Sequence, residues 1–334
     1  MQGTRERQKS IVHTDEKRKS AIEKKLEAIA SKITTIEEWE KYIGDFCEPC
    51  CKKCAETEIS ECKNKSTVKR SKPIAVITAG QPGSGKTPLI NMYREILNKR
   101  YGVEPVLNNS DLYRFCVPGS KRITSAFPEQ ASIVTDPVVK TVRKFLIEKS
   151  IQNRQSTIIE NTLGDINAVN QIRDSGIYDF FIILLAVPRE ESLLSDFERY
   201  IKMKEDCNAA RLVSIKAHDD RFYALDNNIN QLHKDGIRII VHSRGEKDGD
   251  YPRVIYDSSN NGDKSFRNLQ EAIDCTRKKS FNKGKSGYEI RLKEIRSKLE
   301  GFGMTKEEEE ELKKLETIIN EVIKKEKEGL DYDD

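Results

Sequence analysis

The sequence predicts an α/β protein, a parallel sheet covered by helices on both faces, with helical extensions at both ends. Three observations lead there. Ile74–Thr78 is a run of mostly β-branched residues that enters the turn Gly80-x-x-x-x-Gly85-Lys86-Thr87, and Leu89, Tyr93 and Ile96 then recur at helical spacing. From Ile74 onward, strand and helix patterns alternate, as parallel strands joined by crossovers require. Tyr178–Val187 (YDFFIILLAV) is a nearly continuous apolar run, the mark of a strand buried on both faces.

The turn reads as a phosphate-binding P-loop, with Gly80, Gln81, Pro82, Gly83, Ser84, Gly85, Lys86 and Thr87 as candidate nucleotide-binding residues. Glycines let successive backbone N–H groups curl around an anion, and the helix that follows turns its positive end toward it. Lys86 is placed to reach the β- and γ-phosphates, and the Thr87 hydroxyl to ligate Mg²⁺. ATP or GTP is therefore the expected donor. Pro88 fits, because proline is tolerated in a first helical turn. The bland alternative is a glycine-rich turn with no ligand.

Composition bounds the partners. The chain has 334 residues, enough for one α/β domain of about 200 residues with appendages. Its 59 basic and 55 acidic residues leave a net charge of +4, too balanced to argue for nucleic acid. No apolar run has the length of a membrane span, and MQGTRERQKS lacks the apolar centre of a signal peptide, so a cytoplasmic protein is expected.

The N-terminal extension reads as a helical hairpin. Ile22, Leu26, Ile29 and Ile33 share one face of a first helix. Thr35 with Glu38 forms a capping box for a second, whose apolar face is Ile36, Trp39, Ile43 and Phe46. CEPCCKKC follows. Cys47, Cys50, Cys51 and Cys54 form two abutting C-x-x-C pairs, a candidate zinc set with Cys62 as a further ligand. A second knuckle at the usual distance of roughly 12–20 residues is missing, so a reduced Cys-rich linker is the competing reading. A structural disulfide is disfavoured in a cytosolic protein. Lys63–Lys72 is a basic connector, and a domain boundary is expected there. Removal of Met1–Ser66 is accordingly expected to leave the core folded.

Within the core, Glu104–Asn108 reads as a short strand ending at Asn109, Ser110 and Asp111. An irregular segment follows as far as Ser132, then a helix with Val138, Val139, Val142 and Phe145. Ser156–Glu160 is a third strand, ending at Asn161 and Thr162. Glu190–Lys204 and Ser214–His233 read as helices, Gly236–His242 as the last clear core strand, and Arg253–Tyr256 as an edge. After Asp257, Phe266, Leu269 and Ile273 suggest one helix. Tyr288–Leu299 and Thr305–Lys325 suggest two more, joined by Gly-Phe-Gly and opened by a second capping box, Thr305 with Glu308. The expected organisation is 1–66 helical and Cys-rich, 67–260 the core, and 261–334 a helical extension. Each terminal element is either a solvated helical pair packed on the core or an inhibitory or partner-docking element.

In open α/β sheets, ligands bind beyond the carboxyl ends of the strands. Three such ends carry chemistry: the P-loop, Asp111 and Glu160. A carboxylate at Asp111 could accept the proton of an attacking hydroxyl. Ser110, Glu160 and Thr162 could hold a polyhydroxy acceptor. Arg199 and Arg211 could neutralise charge on transferred phosphoryl oxygens. The bland readings are a helix cap for Asp111, a turn residue for Glu160 and surface ion pairs for the arginines. His218 reads as structural.

Taken in order, these segments resemble the zeta-toxin kinases of bacterial toxin–antitoxin systems. GQPGSGKT at Gly80–Thr87 looks like their P-loop. NSDLYRFCVP at Asn109–Pro118 is similar to the segment carrying their catalytic aspartate, which matches Asp111. IIENTL at Ile158–Leu163 looks like their substrate-contacting segment, which matches Glu160 and Thr162. AVPREESLLSDFERY at Ala186–Tyr200 matches Arg199, and the arginine ahead of Ala217-His218-Asp219 matches Arg211. The resemblance implies a P-loop kinase-like fold and a bacterial cytoplasmic enzyme. It implies ATP- or GTP-dependent, Mg²⁺-assisted phosphorylation of a UDP-N-acetylglucosamine hydroxyl, and restraint by an epsilon antitoxin. The sequence departs from the family pattern at Val117-Pro118, where His-Pro is usual, and at Asn161, where Gly is usual. It departs again at Leu163–Asp165, where a basic residue is expected, and around Thr141 and Arg143, where a Thr-Glu is expected. These positions bear on the acceptor, so NAD, an antibiotic or a nucleic-acid 5′-hydroxyl are alternative acceptors. A nucleotide-sensing module without transfer chemistry is the non-enzyme alternative.

Overall fold

The computed structural model describes residues 21–114, 116–127, 130–206, 212–244, 252–259, 266–278 and 284–328. Six strands, β1 (Ile74–Ala79), β2 (Val106–Asn108), β3 (Thr157–Glu160), β4 (Asp179–Leu185), β5 (Ile239–Ser243) and β6 (Arg253–Asp257), form one sheet in the order β2-β3-β1-β4-β5-β6. All neighbours run parallel except β6, which closes the β5 edge antiparallel. The strand expected from Glu104 starts only at Val106. Pro105 has no N–H for the ladder, and the Glu104 carboxylate instead accepts from Arg94 Nε at 2.8 Å and Asn98 Nδ2 at 3.0 Å.

Alternate strand residues feed opposite faces. Ile74, Val76, Ile158, Ile183 and Leu185 join one apolar cluster; Ala75, Ile77, Ile159, Ile182 and Leu184 join the other. The first face is covered by the helix after the P-loop, Lys86–Tyr101, and by the long helix Ala131–Gln152. The second is covered by Asn167–Asp174, Ile215–Lys234 and Leu269–Lys278.

The N-terminal helices belong to the first of these clusters, which corrects the expected boundary at Lys63–Lys72. Ala21–Ala30 and Ile36–Tyr42 lead through a π-turn at Ile43–Cys47 into one continuous helix, Glu48–Lys65. The Thr35–Glu38 capping box forms as expected. Phe46, expected on the apolar face, is exposed. Trp39 is fully buried, and its ring reaches Gly119, whose φ of +79° and lack of Cβ leave the ring room: a Cβ there would lie 2.7 Å from it. At the far end of the segment, Thr67 N donates to Gly102 O at 2.9 Å, and Gln155 Nε2 donates to Ile59 O at 2.9 Å.

The cysteine run is therefore neither a linker nor a knuckle. Cys51, Ala55, Glu58 and Cys62 fall on one buried stripe of the helix at spacings of four, three and four, so the cysteines act there as small apolar core residues. Cys54, the fourth member of the candidate zinc set, is disulfide-bonded to Cys116, contrary to expectation. Cys47, Cys50 and Cys51 are buried free thiols, and among the described residues no group of three or more His, Cys, Asp or Glu could hold a metal. The candidate zinc site is thus withdrawn.

The segment before Ser132, expected to be irregular, contains short helices at Ser110–Arg114 and Ser120–Ala126. The C-terminal helices Gly284–Phe302 and Lys306–Lys327 pair with each other. They pack on Arg189–Glu205 and the start of Ile215–Lys234 through Leu292, Ile295, Leu299, Leu312, Leu315 and Ile319. The Thr305–Glu308 capping box forms, and the buried Glu308 carboxylate also accepts from the Tyr200 hydroxyl at 2.6 Å and pairs with Lys204. Among the described residues no helix is long and apolar enough to cross a membrane.

One buried group gives the fold a pH signature. His242 on β5 is fully buried, 3.0 Å from the Tyr93 hydroxyl, and burial pushes its imidazole down to about 4. The folded-state value is depressed, so its contribution is complete above the unfolded value and is lost as pH falls toward the folded one. Denaturant unfolding at pH 7 and pH 5 is expected to show roughly 2 kcal/mol more acid destabilisation in the native chain than in His242→Gln. Equal pH dependence of the two proteins would refute the assignment.

Candidate active site

The carboxyl ends of β1, β2 and β3 lie side by side, and Lys86, Asp111 and Glu160 stand at or just beyond them. β1 runs into the turn Gly80–Gly85, and Lys86 and Thr87 open the following helix. Gly83 has a φ of +72°, and a Cβ on it would lie 1.9 Å from Ser192 O, so only glycine lets the turn seat on the helix Arg189–Glu205. The seat is held by Gln81, whose Nε2 donates to Val187 O at 2.8 Å and to Ser192 Oγ at 3.3 Å. Ser192 Oγ lies 2.8 Å from His218 Nε2, and His218 Nδ1 lies 3.1 Å from Asp219, which Arg189 clamps with two bonds of 2.8 and 2.7 Å. Gln81, Ser192 and His218 are fully buried, so His218 buttresses the loop, as its sequence context indicates.

Lys86 is buried, and its Nζ donates to Gly80 O at 2.8 Å and Gln81 O at 3.0 Å. Glu160 Oε1, from the end of β3, is 4.0 Å from the same nitrogen. Burial pushes Lys86 below the ordinary lysine range and Glu160 above the ordinary carboxylate range; each charge partly offsets the penalty on the other. Asp111 is exposed in the first turn after Ser110, its N–H bonded to Asn109 Oδ1 at 2.8 Å and its carboxylate 3.6 Å from Arg114 Nε. Arg199 bonds Asp196 Oδ1 at 2.5 Å. Asp111 and Arg199 both act electrostatically on Lys86 and on Glu160, so all four share one field. Thr87 is exposed at the helix start, and Thr162 follows Glu160 in a turn pinned by Leu163 N to Asn161 Oδ1 at 2.7 Å. Arg211 lies outside the described residues.

Sequence reasoning noted Arg143 only as a departure from the family pattern and gave it no role. It stands on the helix Ala131–Gln152, donating from Nε to Asn108 Oδ1 at 3.0 Å and from Nη2 to Glu160 O at 2.7 Å. It ties the ends of β2 and β3 together and puts a cation beside Glu160, and burial pulls its guanidinium down. The available signal was a lone arginine beside Val142 within the apolar pattern of a helix.

A parallel sheet whose first strand feeds a glycine turn and a lysine-opened helix, with polar groups gathered at the neighbouring strand ends, defines a P-loop kinase-like fold. Residues 56–280 match the zeta toxin family model, and the chain belongs to that family. It is 26% identical over 179 residues to toxin zeta of Streptococcus agalactiae, covering 52% of this chain and 60% of that protein. It is also 26% identical over 208 residues to toxin PezT of Streptococcus pneumoniae, covering 60% and 78%. The chain thus spans little more than half the length of the toxin zeta proteins it matches, 60% and 58% of those from S. agalactiae and Enterococcus hirae. A solved structure from the PezAT chromosomal toxin–antitoxin system of S. pneumoniae superposes with a TM-score of 0.59 at 20% identity, covering 78% of this chain and 98% of that one.

Proposed function

We propose that the chain is a bacterial cytoplasmic phosphotransferase of zeta-toxin type. It moves the γ-phosphoryl group of ATP or GTP to a hydroxyl of UDP-N-acetylglucosamine or a close UDP-sugar, and so blocks cell-wall precursor synthesis. The observation that carries this reading is the placing of Lys86, Asp111 and Glu160 at the carboxyl ends of three adjacent strands, β1, β2 and β3, beside a glycine turn, with Glu160 4.0 Å from Lys86 Nζ.

The residues present fit a nucleotide. Ser84 Oγ is buried without a protein hydrogen-bond partner, and positive φ at Gly83 and Gly85 bends the turn as an anion-binding loop requires. The backbone of Gly80–Thr87 would hold the phosphates and Thr87 would hold Mg²⁺, which supplies charge neutralisation when bound. Lys86, fixed by two carbonyls, adds a positioned cation. Asp111 accepts the acceptor hydroxyl proton, Ser110, Glu160 and Thr162 hold the acceptor, and Arg199 with Arg211 neutralises the transferred group. An epsilon-type antitoxin or the chain's own helical segments would restrain it. A second reading keeps the chemistry and changes the acceptor, and it is favoured by Arg143 beside Glu160 and by Asn161 after it.

The test is incubation of the purified chain with Mg·ATP or Mg·GTP and a panel of UDP-sugars, NAD, aminoglycosides and oligonucleotides. Phosphate on a UDP-sugar is expected. Phosphate only on NAD or an oligonucleotide would overturn the acceptor assignment.

A further inference from the structure

Arg244 lies at the carboxyl end of β5, on the opposite side of β1 from Asp111 and Glu160. Its side chain crosses Gly85, with Nε 3.5 Å from where a Cβ on that glycine would stand. Its Nη1 donates to Glu191 Oε1 and to Ser195 Oγ, both at 3.0 Å. The other oxygen of Glu191 accepts from Arg291 Nη1 at 2.7 Å. Arg291 sits on the C-terminal helix Gly284–Phe302, and it is further fixed by Glu198, whose Oε1 accepts from its Nε at 2.6 Å. Glu191 is buried and Arg291 nearly so.

A triphosphate cradled after β1 would present its transferable end to Glu160 and Asp111, toward β3 and β2. Its nucleoside end would then point toward β4 and β5, where Arg244 stands. We propose that Arg244 binds the donor nucleoside triphosphate on the nucleoside side of its phosphates, and that Arg291 of the C-terminal hairpin positions it there through Glu191. The inference rests on the reading of Gly80–Thr87 as the donor site.

Charge order gives Arg291 its role. Glu191 shared between two guanidinium groups is neutralised from the hairpin side and offers Arg244 one fixed oxygen. Without Arg291, the buried carboxylate would have Arg244 as its cation, with only the Ser195 hydroxyl beside it, and would draw that charge away from the nucleotide. The hairpin then acts on donor affinity through one residue rather than only by covering apolar surface.

Mg·ADP affinity of the full chain, measured by calorimetry beside a thermal melt, needs no knowledge of the acceptor. Arg244→Gln is expected to weaken it about tenfold, Arg291→Ala about threefold, and Arg291→Lys less than about twofold. In the Arg244→Gln background, Arg291→Ala should have no further effect, an outcome that general destabilisation would not give. Native affinity in Arg244→Gln alongside loss in Lys86→Ala would overturn the proposal and spare the donor site. Full additivity of the two arginine changes would overturn the linkage. Native affinity in Lys86→Ala would overturn the donor-site reading itself, and the proposal with it.

Discussion

Asp111→Asn is expected to lower phosphoryl transfer by about 10²- to 10⁴-fold while leaving nucleotide affinity within about twofold of native. The amide keeps the shape of the carboxylate and its place after Ser110, but it cannot take a hydroxyl proton. Asp111 is exposed, and its hydrogen bond and ion pair are local, to Asn109 and Arg114, so the substitution leaves the pairing of buried Lys86 with half-buried Glu160 in place. Binding and turnover therefore separate in this variant, whereas they fall together in Lys86→Ala. Native turnover in Asp111→Asn would remove it from the role of base.

Removing Met1–Ser66 is expected to abolish folding of the remainder. Leu26, Ala30, Trp39, Tyr42, Ile43, Cys47, Cys51, Ala55, Ile59 and Cys62 are all buried in the cluster that also holds Val76, Leu89 and Val142. Truncating one fully buried aromatic such as Trp39 costs about 3–5 kcal/mol, and a domain's whole stability is about 5–15 kcal/mol. Losing Trp39 together with the other nine, Tyr42, Leu26, Ile43 and Ile59 among them, exceeds that margin. A truncated protein that stayed soluble and melted within a few degrees of the full chain would show the segment to be a separable appendage.

Much of the core was legible because it follows local rules. The P-loop spacing, the β-branched run before it and the apolar run at Tyr178–Val187 each named a strand or turn that forms where expected. The capping boxes at Thr35 and Thr305 marked two helix starts by the same local chemistry. Strand order and the partners of the terminal helices depend on long-range packing that no local pattern encodes. The N-terminal helices looked separable because their caps are local and a basic connector follows, yet their apolar faces meet Gly119 and the helix Ala131–Gln152. Spacing offered the cysteines as a ligand set or a reduced linker, while the stripe Cys51, Ala55, Cys62 was available as a buried helix face. At the site, Lys86, Asp111, Glu160 and Arg199 were each findable from a strand end or a motif. Arg143 was not, because its role arises from where a helix crosses the ends of two strands.

The most direct measurement follows labelled γ-phosphate from Mg·ATP in the presence of UDP-N-acetylglucosamine, with the native chain and Asp111→Asn in parallel. The proposed function predicts one sugar phosphate formed per ADP in the native protein and a loss of about 10² or more in the variant. ADP formed without a phosphorylated UDP-sugar, or equal product from both proteins, would contradict it.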